Sequence, residues 1–308
     1  MPKAAIYQEY GDSSVLRIVE VPTPTPEPGT VRVRVAYSSV NPVDSKMRSG
    51  LLSDGTPLSA PAIAGMDVAG VVDAIGEGVT GFVVGDRVAG LSPTGAAAEF
   101  VVTYAAALVK VPANVSLETA ATIGVGGTTA VRALGLANVA SGHLIVVDGA
   151  SGGVGTFLTQ LATARGATVI GTASARNHEY LADLGARPIS YGPGWEARAA
   201  ETADRPFDAA FDLVTGDMYA QLRSISTATA PVVTLVDPTF PDLGGILVTG
   251  LEPGFDHALQ DVIDAVAGGK VRIPIAQTFP LTEIAAAQDL SAQGHVRGKL
   301  VLSIAPQL

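Results

Sequence analysis

Cysteine is absent from the 308 residues of the chain, which rules out disulfides, thiolate nucleophiles and every metal site built on sulfur. Histidine is almost as scarce: the four, at positions 143, 178, 257 and 295, show no metal-ligand spacing such as HExxH. Positive charge is also short. Nineteen Lys and Arg stand against 29 Asp and Glu, for a formal net charge of -10, and no basic cluster is visible, so no nucleic-acid partner is expected. An anionic cofactor is still admissible, because a few local cations and helix N-termini hold phosphates against an unfavourable global field. Uncharged apolar runs stop short of the ~18 to 20 residues that span a bilayer. The opening Met1-Pro2-Lys3-Ala4-Ala5-Ile6 runs straight into a strand-like pattern, without the apolar core and cleavage site of a signal peptide. The expectation is a cytoplasmic protein with no membrane partner.

Apolar residues make up 47% of the chain and charged residues 16%, a composition that folds rather than stays disordered. The length favours two domains. Residues 31–37 alternate apolar and polar as a half-buried strand does, and residues 68–75 and 87–91 are further short β runs among glycine turns. A compact β-barrel-like domain is expected there. After Ser116, a helix cap followed at three residues by Thr119, the pattern becomes alternating helix and strand. Strands are expected at 143–148, 168–172, 187–190, 209–213, 232–236 and 246–249, with helices to about Arg165, to Gly185, and over 255–267. That is a doubly wound parallel sheet of the α/β class. Strands at 272–279 and 299–304 have no sheet of their own, and returning them to the N-terminal region gives a substrate domain of 1–117 plus 269–308 into which a nucleotide domain, 118–268, is inserted.

Strand 143–148 runs into Gly149-Ala150-Ser151-Gly152-Gly153-Val154-Gly155 and then a helix, the context a dinucleotide phosphate loop requires. Small residues allow the turn, a missing side chain lets the backbone approach a diphosphate, and the helix N-terminus points free N–H groups at the anion. The spacing is Gly-x-x-Gly-x-x-Gly, since Ala150 and Ser151 fall in the first half. NAD-binding domains place a carboxylate ~20 residues further on to hold the ribose 2′-hydroxyl. Here Gly171-Thr172-Ala173-Ser174-Ala175-Arg176 offers hydroxyls and a guanidinium instead. A carboxylate would repel a 2′-phosphate, whereas Ser174 and Arg176 can donate to it, so NADPH is expected rather than NADH. The competing reading of Arg176 is a solvated residue in the first turn of a helix.

The order of β domain, phosphate loop and returning strands resembles the medium-chain dehydrogenase/reductase superfamily, in particular its quinone oxidoreductase branch. The resemblance is carried by Asn41-Pro42-Val43-Asp44, Gly65-Met66-Asp67-Val68-Ala69-Gly70-Val71-Val72, Gly85-Asp86-Arg87-Val88, Ala97-Ala98-Glu99-Phe100 and Gly294-His295-Val296-Arg297-Gly298-Lys299. It implies a Rossmann sheet inserted into a GroES-like barrel domain. Zinc-dependent members use a Cys, a His-Glu pair and a second Cys or Asp around the metal. This chain has Asp44 at the first Cys and Met66-Asp67 at the His-Glu pair, and its structural-zinc lobe shrinks to residues 91–98, so no metal is expected. Without a Lewis acid the acceptor must already be conjugated, which points to a quinone or an α,β-unsaturated carbonyl.

The resemblance also implies roles. It sets Asn41 and Asp44 at the floor of a cleft facing the nicotinamide, Asn41 donating to the substrate oxygen and Asp44 orienting water or a proton. Asn41 equally reads as a turn former before Pro42, and Asp44 as a cap of the following helix. Thr129 matches a hydroxyl near the nicotinamide, or else caps a buried helix. Tyr191 and Arg297 match residues beside the adenosine phosphate, or else are a surface aromatic and a solvated turn residue. Residues 212–216, Val214 among them, and Val236 follow Rossmann strand ends, where the backbone more than the side chains is expected to touch cofactor. An enoyl-thioester reductase and a non-catalytic NADPH-binding or sensing protein are the competing functions. A homodimer through the edge strand near residues 246–249 is the expected assembly.

Overall fold

The computed structural model describes residues 1–214 and 217–307. The chain divides into two compact units, Met1–Val125 with Ile273–Leu308, and Gly126–Arg272. In chain order the first segment carries β1 (Lys3–Tyr7), β2 (Arg17–Glu20), β3 (Thr30–Val40), α1 (Pro42–Arg48), β4 (Ala62–Ile63), β5 (Asp67–Ile75), β6 (Arg87–Leu91), β7 (Phe100–Tyr104), β8 (Leu108–Lys110) and α2 (Leu117–Ala120). Then follow α3 (Val125–Leu136), β9 (Leu144–Asp148), α4 (Gly153–Ala164), β10 (Thr168–Ala173), α5 (His178–Asp183), β11 (Ala186–Ser190), α6 (Trp195–Thr202), β12 (Ala209–Asp212), α7 (Tyr219–Ser224), β13 (Val232–Thr234), β14 (Ile246–Leu247) and α8 (Ala258–Ala267). The chain returns through β15 (Ile275–Pro280), α9 (Ile284–Ala292) and β16 (Lys299–Ser303).

The first unit is built on β3. Its Val31, Val33 and Val35 are fully buried with Val68, Val72 and Val88, while the alternate Arg32 turns its guanidinium to Asp73, Nε to Oδ2 at 2.6 Å. Eleven residues let β3 serve several partners: its first half pairs with β7, its whole length with β5, and its last four residues with β16. The resulting order is β15-β16-β3-β5-β6-β8, beside a three-stranded sheet β2-β1-β4. Two registers bring residues distant in the chain together at one end of β3. Leu300 lies opposite Val40, so Lys299 meets Asn41, and Ser39 lies opposite Asp67.

The second unit is a parallel sheet of six strands ordered β11-β10-β9-β12-β13-β14. Counted from β9, this is the 3-2-1-4-5-6 order of dinucleotide-binding domains. The central strand β9 is buried at all five residues, as a strand covered on both faces must be. Phe207, Trp195, Phe240 and Leu222 fill one side with Ile170 and Val146.

Boundaries differ from the sequence expectation where hydrogen bonds run out. The helix expected from residue 255 begins at Ala258, because residues 255–258 close a turn in which the Ala258 N–H donates to the Phe255 carbonyl. The strand expected from residue 272 starts at Ile275, just after Pro274, which has no N–H to give a ladder. The strand expected over 246–249 is two residues long, and Gly250 follows at φ +86°.

Candidate active site

In the second unit the turn between β9 and α4 is held by residues from β10. Thr172, at the end of β10, accepts from the Gly149 N–H at 3.0 Å and donates to Asp148 Oδ1 at 2.5 Å, and its carbonyl accepts from the Ala150 N–H at 3.2 Å. Gly149 has φ +81°, a conformation that side chains with a Cβ rarely adopt. Gly155 is required for a different reason: a Cβ there would overlap the carbonyls of Gly149 and Ala150. The Gly152 N–H returns to the Gly149 carbonyl, so Gly152 caps α4, and no side chain of the described residues bonds the exposed amides of the first turn at Gly153 and Val154. A twelve-residue helix with a bare N-terminus behind a glycine turn is a cradle that an anion fits.

The adjoining turn leaves β10 through Ser174, which opens a short 3-10 turn carrying Arg176. Arg176 is exposed, with no partner among the described residues. Behind it the buried Asn177 donates from Nδ2 to Ser151 Oγ at 3.4 Å, tying this turn to the glycine loop. Tyr191 follows β11, the neighbouring strand, and is 51% exposed, while its carbonyl accepts from Arg198. Thr129 lies half-buried on α3. Val214 is half exposed. The amides of Val214 and Val236 are spent locally, on Asp212 Oδ1 at 3.0 Å and Thr234 Oγ1 at 3.1 Å, which leaves their carbonyls. Thr215 and Gly216 lie outside the described residues. Arg297 belongs to the first unit, on the exposed loop before β16.

Two carboxyls share the floor of this sheet. Asp148 and Asp212 are register partners on β9 and β12, both buried. Burial pushes Asp148 up and Asp212 up to about 7, with Asp148 and Asp237 adding repulsion against bonds from Thr234 and Val214 that favour the charge.

In the first unit, Asn41, Asp44, Asp67 and Lys299 are each buried to 5% exposure or less. Asn41 is the N-cap of α1, Pro42 takes the first helical position, and Asp44 stands third, where its Oδ2 accepts from the Asn41 N–H at 2.8 Å. The sequence reading of Asp44 as the cap itself is thus displaced by three residues. Asp44 Oδ1 is buried with no hydrogen-bond partner among the described residues. Burial pushes its carboxyl up to about 7; the Asn41 amide opposes this, Asp67 adds to it and Lys299 opposes it. Asp67 is saturated: Oδ1 accepts from the Val125 N–H at 2.6 Å, and Oδ2 from Ser39 Oγ and from Asn41 Nδ2, the latter at 2.9 Å. Lys299 Nζ donates to Asn41 Oδ1 at 2.5 Å and lies 3.6 Å from Asp67 Oδ2.

The donor set here does not fit zinc. Among the described residues no three His, Cys, Asp or Glu side chains converge, and a metal at Asp67 would meet the Lys299 ammonium. Sequence reasoning passed over Asp67 and Lys299 as partners, as it did Thr172 and Asn177, because each works through a contact between segments that only the fold brings together.

Two family models match the chain: the alcohol dehydrogenase GroES-like domain over residues 27–113 and the zinc-binding dehydrogenase domain over 184–302. A chloroplast envelope quinone oxidoreductase homolog of Arabidopsis thaliana is 31% identical over 96% of each chain. Among solved structures, a mycobacterial protein complexed with NADPH is 29% identical over 98% of this chain and 100% of its own, with a TM-score of 0.85. The CurK enoyl reductase superimposes with a TM-score of 0.89 at 25% identity, covering 98% and 99% of the two chains.

Proposed function

Because the chain belongs to the quinone oxidoreductase branch of the medium-chain dehydrogenase/reductase superfamily, we propose that it is an NADPH-dependent, zinc-independent oxidoreductase acting on a quinone or an α,β-unsaturated carbonyl. The observation that carries this reading is the turn after β10. Where an NAD-binding domain keeps a carboxylate, it carries Ser174 and an exposed, unpartnered Arg176, fastened through Asn177 to the glycine loop. The relative complexed with NADPH supports the same choice.

In this proposal the amides of Gly149, Ala150, Ser151, Gly152, Gly153, Val154 and Gly155 bind the diphosphate, and Ser174, Arg176, Tyr191 and Arg297 bind the 2′-phosphate end. Thr129 and the carbonyls of Val214 and Val236 orient the nicotinamide. The bound cofactor supplies hydride. Asn41 offers its remaining Nδ2 hydrogen to the acceptor oxygen on which charge develops. Asp44, whose carboxyl is pushed up to about 7 by burial and is therefore about half protonated at neutral pH, carries that proton at its unbonded Oδ1 for delivery to the reduced product. The saturated Asp67 and the ammonium beside it support chemistry without a metal.

Affinity for NADPH and NADH in the wild type and in Arg176→Ala tests the carrying observation. Loss of a charge-assisted bond of about 1.5–3 kcal/mol is expected to weaken NADPH roughly ten- to hundredfold and leave NADH unchanged. Equal affinity in both proteins sinks the assignment. The likeness to an enoyl reductase favours acyl enoyl thioesters as the second substrate class. Tight NADPH binding without oxidation across quinones, enones and enoyl thioesters points instead to a sensing role. We also propose a cytoplasmic homodimer paired through β14, the half-buried edge of the six-stranded sheet; among the described residues no helix is long and apolar enough to cross a membrane.

A further inference from the structure

The Asn41–Asp44 pair sits on a buried ion pair whose members come from different strands. An ammonium only donates and an ionised carboxylate only accepts. Lys299 therefore fixes the carbonyl end of the Asn41 amide toward itself, and Asp67 fixes the amino end, with bonds of 2.5 and 2.9 Å. The side chain cannot flip without setting donor against donor and acceptor against acceptor. One Nδ2 hydrogen remains uncommitted, and its direction is set by the other. Asp67 is itself immobilised by Ser39 and by the Val125 amide, and the bare Cα of Gly124 makes room for it, since a Cβ there would overlap Asp67 Oδ1.

We propose that Asp67 and Lys299 are positioning residues: their buried pair locks the Asn41 amide in one orientation and, through two opposed charges, balances the Asp44 carboxyl. The charged and titratable groups coupled to Asp44 are Tyr7 on β1, Asp67 on β5 and Lys299 on β16, while Arg48, further along the helix of Asp44, acts on Tyr7. Tyr7 is itself pushed up by burial and by Tyr10 and Asp44, so it stays neutral where Asp44 titrates. Arg48 is held by Gln288 and the Gly11 carbonyl. Removing Asp67 and removing Lys299 therefore act on Asp44 with opposite sign, whereas two merely structural residues would damage the site in the same direction.

The titration of Asp44 is read by carbon-13 NMR in protein labelled at the Asp carboxyls, with its resonance identified by its loss in Asp44→Asn. In Asp67→Asn the midpoint is expected to fall, and in Lys299→Met to rise, each by about one pH unit. In Lys299→Arg, which keeps the charge, it is expected to stay in place. If Lys299→Met does not fold, the Asp67→Asn/Lys299→Met double variant, free of the unpaired carboxylate, is expected to titrate above Asp67→Asn and close to the wild type. Shifts of the same sign, or none, overturn the proposal. A kinetic arm rests on the hydride-transfer reading above: the alkaline limb of NADPH oxidation is expected to move with the NMR midpoint. Opposite NMR shifts without turnover on any acceptor would fault that reading alone, and turnover without opposite shifts would fault this one alone.

Discussion

Gly155 has no space for a methyl group: the carbonyls of Gly149 and Ala150 occupy the position of its missing side chain. Gly155→Ala is expected to push α4 away from β9, to cost about 1–3 kcal/mol in the stability of the second unit, and to abolish measurable NADPH binding in a fluorescence titration. Unchanged binding would show that the cradle does not hold the diphosphate. This residue was legible in the sequence because its partners lie within six positions and the spacing of small residues encodes the turn. Asp67 and Lys299 were not. Asp67 was read only as standing in place of a zinc ligand and Lys299 only as the end of a family motif, and the bond from Lys299 to Asn41 spans 258 positions, a distance over which no local pattern carries information.

Between elements, the end of β10 does what the loop sequence alone does not announce. Thr172 bonds the first amide of the glycine turn and the carboxyl that closes β9. Thr172→Val keeps the shape and removes both bonds, leaving a half-buried N–H and a buried carboxyl oxygen without these partners. The expected loss is about 1–3 kcal/mol in urea unfolding, with weaker NADPH binding; a loss confined to stability would separate the buttress from the cradle. Strands and helices of this unit were legible from apolar runs and periodicity, since a strand covered on both faces has to be continuously apolar. Strand ends in either unit were less so, because a ladder stops where a proline or a left-handed glycine removes a donor or turns the chain, as at Pro274 in the first unit and Gly250 in the second.

At the scale of the whole chain, each unit buries a carboxyl that ionises at about 7 rather than near its ordinary 3.8, Asp44 in the first and Asp212 in the second. Between those values the folded protein binds more protons than the unfolded chain, so stability falls as pH rises from about 4 to about 7 and levels off above. The single tryptophan, Trp195, lies in the core of the second unit, so its fluorescence reports unfolding where Asp212 resides. Wild type is expected to be less stable at pH 8 than at pH 5. Asp212→Asn, which mimics the protonated acid, is expected to narrow that gap, to which one such carboxyl contributes at most about 2.7 kcal/mol between pH 5 and 8. A gap equal in both proteins contradicts the assignment. The α/β class was legible at this scale because strands and helices alternate after residue 116, but the order in which strands lie side by side was not, being a property of connections rather than of composition.

That β16 is an inner strand of the first sheet, flanked by β15 and β3, also orders events in time. The ribosome delivers Lys299 258 residues after Asn41. At ~5–20 residues per second this is a delay of roughly 13 to 50 seconds. Through that interval the nascent β3 lacks its neighbour and Asp67 its counter-ion, and before it ends every strand of the six-stranded sheet has been synthesised. The six-stranded sheet is therefore able to form before β16 is made, and the first sheet closes only when that strand arrives.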